Sequence, residues 1–280
     1  RCDGSTWQKT TLAKGSSYSL PGVRDAEGYT FMGWSTKPMQ SVSPQYEAEE
    51  KITVNGNVDL YAVVFNRTTE TDLTEDQLPQ VDIYKYKQVI FVGDSRTEFM
   101  ENVLTGMGES ATKNVKFVCS AGKGLDWFTT TGWAQLYSIV QHDSNSILSK
   151  KTAVIFNFGV NDLSKSADYA EYYNWIAPQL KSKGCELYFM SVNPVNRLML
   201  PNAGRADRSE AAVRSFNQYM KANLPSAYTY IDMYSYLKST GYSFASDHYG
   251  TGTVDDGLHY TTRTYKRIFA KCMDSLRVPA

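Results

Sequence analysis

From residue 87 to the C-terminus the sequence predicts an α/β sandwich on a parallel sheet, preceded over 1–66 by a small, mostly β module. Residues 89–92 (VIFV), 115–119 (VKFVC), 153–158 (AVIFNF) and 187–192 are compact apolar runs, with a weaker one at 229–231. Runs apolar on both faces suit strands covered from both sides, as in parallel sheets. Helical stretches at 97–104, 168–182, 206–223 and 260–276 alternate with them. Strand alternating with helix is the pattern of a doubly wound sheet, whose ligands bind beyond the carboxyl ends of the strands. The first 66 residues instead carry short alternating segments, YTFMGW (29–34) and VDLYAVVF (58–65), the second just after an Asn55-Gly56 turn signal. No helical period lasts ten residues there, although 46–52 suits a short turn. Tyr29, Phe31, Trp34 and Tyr61 are the expected core of this module.

Between the two, residues 67–86 are polar and acidic (TTETDLTED at 68–76) with Pro79 inside, which suits a linker or a strap across the surface. The whole chain is 42% hydrophobic with twenty Tyr and five Trp, enough apolar material for a buried core. Lys plus Arg equals Asp plus Glu at 29 each, so no net field draws the chain to nucleic acid or an anionic membrane. No apolar run approaches the roughly 18 to 20 residues that span a bilayer. The chain begins at Arg1 rather than Met and reads as a trimmed segment, so the lack of a signal peptide says nothing of compartment. Cys2, Cys119, Cys185 and Cys272 are far apart with no CxxC pair, which indicates neither a zinc site nor a redox motif. Cys119 and Cys185 lie on expected strands as small buried hydrophobes; a disulfide of Cys2 stays open.

The chemistry falls where the sheet rule puts it. The first apolar run ends in FVGDSRT (91–97), which presents Ser95 at a helix N-terminus, where backbone N–H groups support negative charge. A serine there also suits a helix cap. Of three histidines, His142 lies in a polar, solvent-facing stretch and His248 in a loop expected near the site. His259 closes VDDGLHY, with Asp256 three residues earlier and Gly257 between them. One short loop thus carries a base and a carboxylate able to hold its Nδ1–H, leaving Nε2 for the serine. The third run ends in NFGVND (157–162), where Asn161 can aim an amide N–H at an oxyanion. The second ends in CSAGKGLDW (119–127), where Gly122 or Gly124 can offer a backbone N–H.

These motifs resemble those of the SGNH hydrolases, also called GDSL esterases and lipases, over about 195 residues. The matching blocks are GDS at 93–95, the glycine of SAGKGLD, GVND at 159–162 and DGLH at 256–259. The resemblance implies a flavodoxin-like α/β/α fold and two-step acyl transfer, with Ser95 as nucleophile and Asp256 and His259 completing a triad. It implies an oxyanion hole of the Ser95 N–H, Gly124 (Gly122 the fallback) and the Asn161 amide. No metal or organic cofactor is required. The N-terminal GYTFMGW (28–34), followed by VDLYAVV (58–64), resembles the Listeria–Bacteroides repeat, the internalin B-type repeat, a small β-grasp-like module of multidomain bacterial surface proteins. That resemblance implies an extracellular or cell-surface setting and brings no catalytic residues.

Loop residues expected around the site include Arg96, Lys123, Asp126, Trp127, Asn193, Asn196, Arg197, His248 and Tyr249, of which Arg96, Trp127, Asn193 and His248 are the expected substrate contacts. Aromatic and amide groups suit a sugar ring, so the expected substrate is a short acyl ester, acetyl above all, on a glycan. The alternatives are an O-acyltransferase using the same triad and a retired enzyme that binds glycans on a cell surface, its first module contacting the surface or other domains. No nucleic-acid partner is expected.

Overall fold

A computed structural model of the 280-residue chain describes residues 7–142, 150–201, 208–245 and 256–276. Cys2, His248 and Tyr249, and the side chain of His142, lie outside the described residues.

The first module has four short strands, β1 (Ser16–Ser19), β2 (Tyr29–Ser35), β3 (Lys51–Val54) and β4 (Tyr61–Asn66), paired antiparallel as β1–β3 and β2–β4. Leu20, Phe31 and Trp34 are its buried centre, flanked by Tyr18, Tyr46 and Ile52. Tyr29 and Tyr61 are not core: each begins its strand, and they are 40% and 42% exposed. The other face of β2–β4, with Met32, Val63 and Phe65, packs into the core of the following domain. Residues 67–86 run along that domain, burying Leu78 and Val81 and pairing buried Glu70 with Arg267 at 3.0 Å.

The second part holds β5 (Tyr86–Gly93), α1 (Ser95–Met107), β6 (Val115–Cys119), a helical turn α2 (Leu125–Trp127), α3 (Trp133–His142), β7 (Lys151–Asn157), α4 (Ser166–Lys181), β8 (Cys185–Met190), α5 (Glu210–Asn223), β9 (Tyr228–Ile231), α6 (Met233–Thr240) and α7 (Thr262–Ser275). The five strands form one parallel sheet in the order β6-β5-β7-β8-β9. Alternate residues of each strand feed opposite cores. Ile90, Val92, Val154 and Phe156 meet α3, α4 and α5, whereas Val89, Phe91, Ala153 and Ile155 meet α1, α6 and α7. This is the expected flavodoxin-like α/β/α sandwich. Its topological switch point lies between β5 and β7, where such sheets bind ligands.

The expected strands appear with small shifts at their ends, and the helices start at their caps. Ser209 Oγ accepts from the Ala212 N–H to start α5, and Thr261 caps α7. The stretch from Leu125 to His142 is helical where the sequence suggests no element. Thr129, Thr130, Thr131 and Gly132 interrupt the period there, and Phe128–Gly132 forms a π turn before α3. Cys185 and Cys272 are buried, as small hydrophobes would be, and Cys119 is half-buried against Glu101.

Candidate active site

The carboxyl ends of β5, β6 and β7 stop level, Gly93 registering with Cys119 on one side and Asn157 on the other. The chain leaves β5 through Asp94, which caps α1: its carboxylate accepts from the Arg96 N–H at 3.0 Å and its carbonyl from the Thr97 and Glu98 N–H groups at 3.0 Å. Capping, one possible job for Ser95, therefore falls to Asp94, and the Ser95 hydroxyl is left for other work. Ser95 takes the first helical position, whose N–H has no acceptor one turn back.

Its Oγ donates to His259 Nε2 at 2.9 Å, and His259 Nδ1–H donates to Asp256 Oδ2 at 2.6 Å. The other Asp256 oxygen accepts the N–H groups of Leu258 and His259 at 2.8 and 2.7 Å, so the DxxH loop folds around its own carboxylate. All three side chains are buried. The Phe99 ring stacks 4.5 Å from the imidazole and holds its plane.

The segment after β6 returns to the same point. Asp162 Oδ2 accepts from the Leu125 N–H at 2.7 Å and Oδ1 from the Tyr169 hydroxyl at 2.8 Å. A Cβ on Gly124 would overlap that carboxylate, whereas Gly122 has open space around it and is held to glycine by its φ of +69°. The close approach therefore demands glycine at 124. Asn161 Nδ2 donates to the Lys123 carbonyl at 2.8 Å, while its Oδ1 accepts from Arg208 Nη2 at 2.6 Å. Arg208 also donates through Nε to the Val160 carbonyl at 3.0 Å, so it is anchored to the loop it serves. With Oδ1 occupied by a guanidinium, the amide orientation is set and the second Nδ2 proton is directed away from it.

Two expected substrate contacts, Arg96 and Trp127, have their side chains engaged within the protein. Arg96 is 1% exposed, with Nε, Nη1 and Nη2 spent on the carbonyls of Leu258, Asn193 and Pro194 at 3.0, 2.9 and 2.9 Å. It clamps the backbone of the DxxH loop because a buried guanidinium needs acceptors on every side. Asn193 is likewise buried and its carbonyl is held by Arg96, while its side-chain amide has no hydrogen-bond partner among the described residues. Trp127 lies against Gly132 and Phe158 as a packing residue. Nearby, Asp126 pairs on the surface with Lys165, while Asn196 and Arg197 turn toward the first module. Sequence reasoning passed over Arg208 and the anchoring role of Asp162. Arg208 lies 47 residues from its partner, beyond any local spacing rule.

Full burial pushes the Asp94 carboxyl up to about 6, against the opposing pull of the Arg96 N–H and charge. A raised acid binds its proton more tightly folded than unfolded. Its ionisation therefore removes stability as pH rises from its ordinary value of 3.8 through about 6. The loss at neutral pH is on the order of 3 kcal/mol. Asp94→Asn keeps the oxygen that caps Arg96. The variant is expected to unfold at higher denaturant than the parent at pH 8, and the gap closes toward pH 4; urea titrations at the two pH values check this.

Residues 89–272 match the family model described as GDSL-like lipase/acylhydrolase, and residues 2–63 match the Listeria–Bacteroides repeat domain. No curated protein matches the chain. Among solved structures, a candidate acylhydrolase of Bacteroides fragilis is similar at 17% identity, covering 72% of this chain and 92% of its own, with a TM-score of 0.46. An acetyl xylan esterase, AlAXEase, is similar at 11% identity over 68% of this chain and 99% of its own, TM-score 0.45. The C-terminal catalytic domain of peptidoglycan O-acetyltransferase A from Streptococcus pneumoniae, with a methylsulfonyl adduct, is similar at 17% identity over 69% and 94%, TM-score 0.40.

Proposed function

We propose, since this chain belongs to the GDSL-like lipase/acylhydrolase family and is a carboxylic ester hydrolase, that Ser95 attacks the ester carbonyl of a short acyl group on a glycan. The observation that carries this reading is the continuous relay Ser95 Oγ, His259 Nε2, His259 Nδ1, Asp256 Oδ2, at 2.9 and 2.6 Å. His259 takes the hydroxyl proton as Oγ bonds to the carbonyl carbon, and Asp256 stabilises the imidazolium that results. The oxyanion is held by the N–H groups of Ser95 and Gly124 and by Asn161 Nδ2. Collapse expels the alcohol, which takes the proton from His259. Water, deprotonated by the same imidazole, then attacks the acyl-enzyme and frees the acid and Ser95.

The glycan part of the reading rests on the surface-protein setting that the first module's family suggests, which also supports an extracellular or cell-surface location. No helix among the described residues is long and apolar enough to cross a membrane. Activity on acetylated oligosaccharides against aryl esters of increasing chain length tests this. Acetylated sugars are expected to be preferred, and a preference for long chains sinks the reading. Product analysis with an added glycan acceptor distinguishes hydrolysis from acyl transfer.

Arg208 orients Asn161 rather than touching the ester. Arg208→Gln is expected to lower kcat about tenfold, a fraction of what loss of an oxyanion donor removes, with little change in KM. Steady-state kinetics on one short ester decide it: an unchanged kcat would mean that Asn161 needs no support.

A further inference from the structure

We infer that the first module is a working part of the catalytic centre: its 23–25 segment, through the side chain of Asn196, positions the loop that carries Asp256 and His259. The inference rests on the triad reading proposed above.

The contacts run in one line. The Asp25 side chain is buried, and its carboxylate accepts from the Phe31 N–H at 3.0 Å and from Arg67 Nη2, just past the first module, at 2.7 Å. Asn196, on the loop after β8, donates through Nδ2 to Asp25 Oδ1 at 2.8 Å and to the Val23 carbonyl at 3.0 Å. Its Oδ1 accepts from the Leu198 N–H at 3.2 Å, and Arg24 donates to the Leu198 carbonyl. Each polar atom of the amide is thereby assigned. The backbone N–H of the same Asn196 donates to the Gly257 carbonyl at 2.8 Å. Gly257 lies inside the DxxH loop, between the carboxylate and the imidazole.

The two loops also touch too closely for any side chain. Gly257 has φ of +67°, and a Cβ there would overlap the Asn196 carbonyl and lie 2.7 Å from Met199 Cβ. Arg96 holds the far side, bridging the Leu258 carbonyl to those of Asn193 and Pro194. The 193–199 segment is thus bound to the catalytic loop by backbone and to the first module by the Asn196 amide, the Arg24 bond to the Leu198 carbonyl and the Arg197–Glu49 pair. A shift of that amide is transmitted to Gly257, and small displacements of a base cost large factors in rate. Asn196 is a positioning residue on this account, and the 23–25 segment is its support.

The full chain is used for the test. Asn196→Ala removes the bonds to Asp25 and Val23 and the acceptor of the Leu198 N–H, and keeps the backbone N–H to Gly257. On a short aryl ester, kcat is expected to fall about tenfold with KM within about twofold, and the pH profile of kcat/KM is expected to move. The imidazole region of the ¹H–¹⁵N spectrum, with only three histidines to assign, is expected to show a changed His259 Nδ1–H signal. Asp25→Asn perturbs the same contact from the module side and carries the test if Asn196→Ala does not fold. In the double variant the two losses are expected not to multiply in full, since both disrupt the shared Asn196–Asp25 bond. Folded variants with the parent's kcat, pH profile and imidazole signal overturn the inference, as do losses that multiply in full. The spectrum needs no turnover. A parent inactive on every ester defeats the esterase reading, while a displaced His259 signal in Asn196→Ala still upholds the coupling.

Discussion

Ser95→Ala is expected to lower kcat for ester hydrolysis by a factor on the order of 10⁶ while leaving the fold in place. Only one oxygen is removed, and its partner in the free enzyme is His259 Nε2 at 2.9 Å. The helix keeps its cap, because Asp94 and not Ser95 accepts the Arg96 N–H. Far-ultraviolet circular dichroism is therefore expected to be unchanged while turnover disappears into background. Asp256→Asn is expected to cost about 10⁴-fold by a different route. The substituted amide can donate to Nδ1, which drives the proton to Nε2, and an Nε2–H cannot accept from the serine. The two variants together separate loss of the nucleophile from loss of the correct tautomer. Parent-like turnover in Ser95→Ala would remove Ser95 from the chemistry.

Lys238→Met carries the largest expected effect on stability. Lys238 is 6% exposed in α6; its Nζ forms ion pairs with Glu210 at 2.9 Å and Glu47 at 2.8 Å and donates to the Met32 carbonyl at 2.7 Å. It therefore joins the first module to α5. Burial alone would push the Glu210 carboxyl up, but Lys238, the Tyr234 hydroxyl and the Val195 N–H outweigh it and hold the group below its ordinary value. One lysine does not satisfy two buried acids equally: burial of Glu47 prevails over Lys238 and pushes that carboxyl up. Methionine at 238 leaves Glu210 charged, buried and unpaired, which costs about 3 to 5 kcal/mol. The sign with pH follows. In the parent a lowered Glu210 supports the fold above its unfolded value and loses that support in acid. In the variant only the Tyr234 hydroxyl and the Val195 N–H still oppose its burial, so the deficit is greatest at neutral pH and shrinks as pH falls and the acid takes up a proton. Urea unfolding of both proteins at pH 7.5 and pH 5 measures this. A deficit below about 1 kcal/mol at pH 7.5 would mean that water reaches the cluster and screens it.

The parts of the fold and site that were legible in the sequence are those encoded over a few residues. The runs at 89–92 and 153–158 read as sheet because both faces of β5 and β7 are buried, so no alternation hides them. GDS at the end of β5 and DGLH before α7 are local patterns, and they bring Ser95, Asp256 and His259 into one hydrogen-bonded line. Four-residue strands such as β1 and β3 are too short to show a period, and they passed unseen. Arg96 misled because a charged side chain beside a nucleophile suggests substrate. Its acceptors are backbone carbonyls 97, 98 and 162 residues away, which no side-chain pattern announces. Asn196 is a similar case: its partners in the first module lie 171 and 173 residues back, and only the folded chain brings them together.

The measurement that goes most directly to the central claim is trapping of the acyl-enzyme. The parent is mixed with a short aryl ester, quenched in acid within the burst phase, digested and analysed by mass spectrometry. The account predicts the mass of one acyl group on the peptide that carries Ser95, absent in Ser95→Ala and formed far more slowly in Asp256→Asn, whose imidazole cannot accept the serine proton. An acyl group found stably on another side chain, or turnover of the ester with no acylated peptide under any quench, would contradict it.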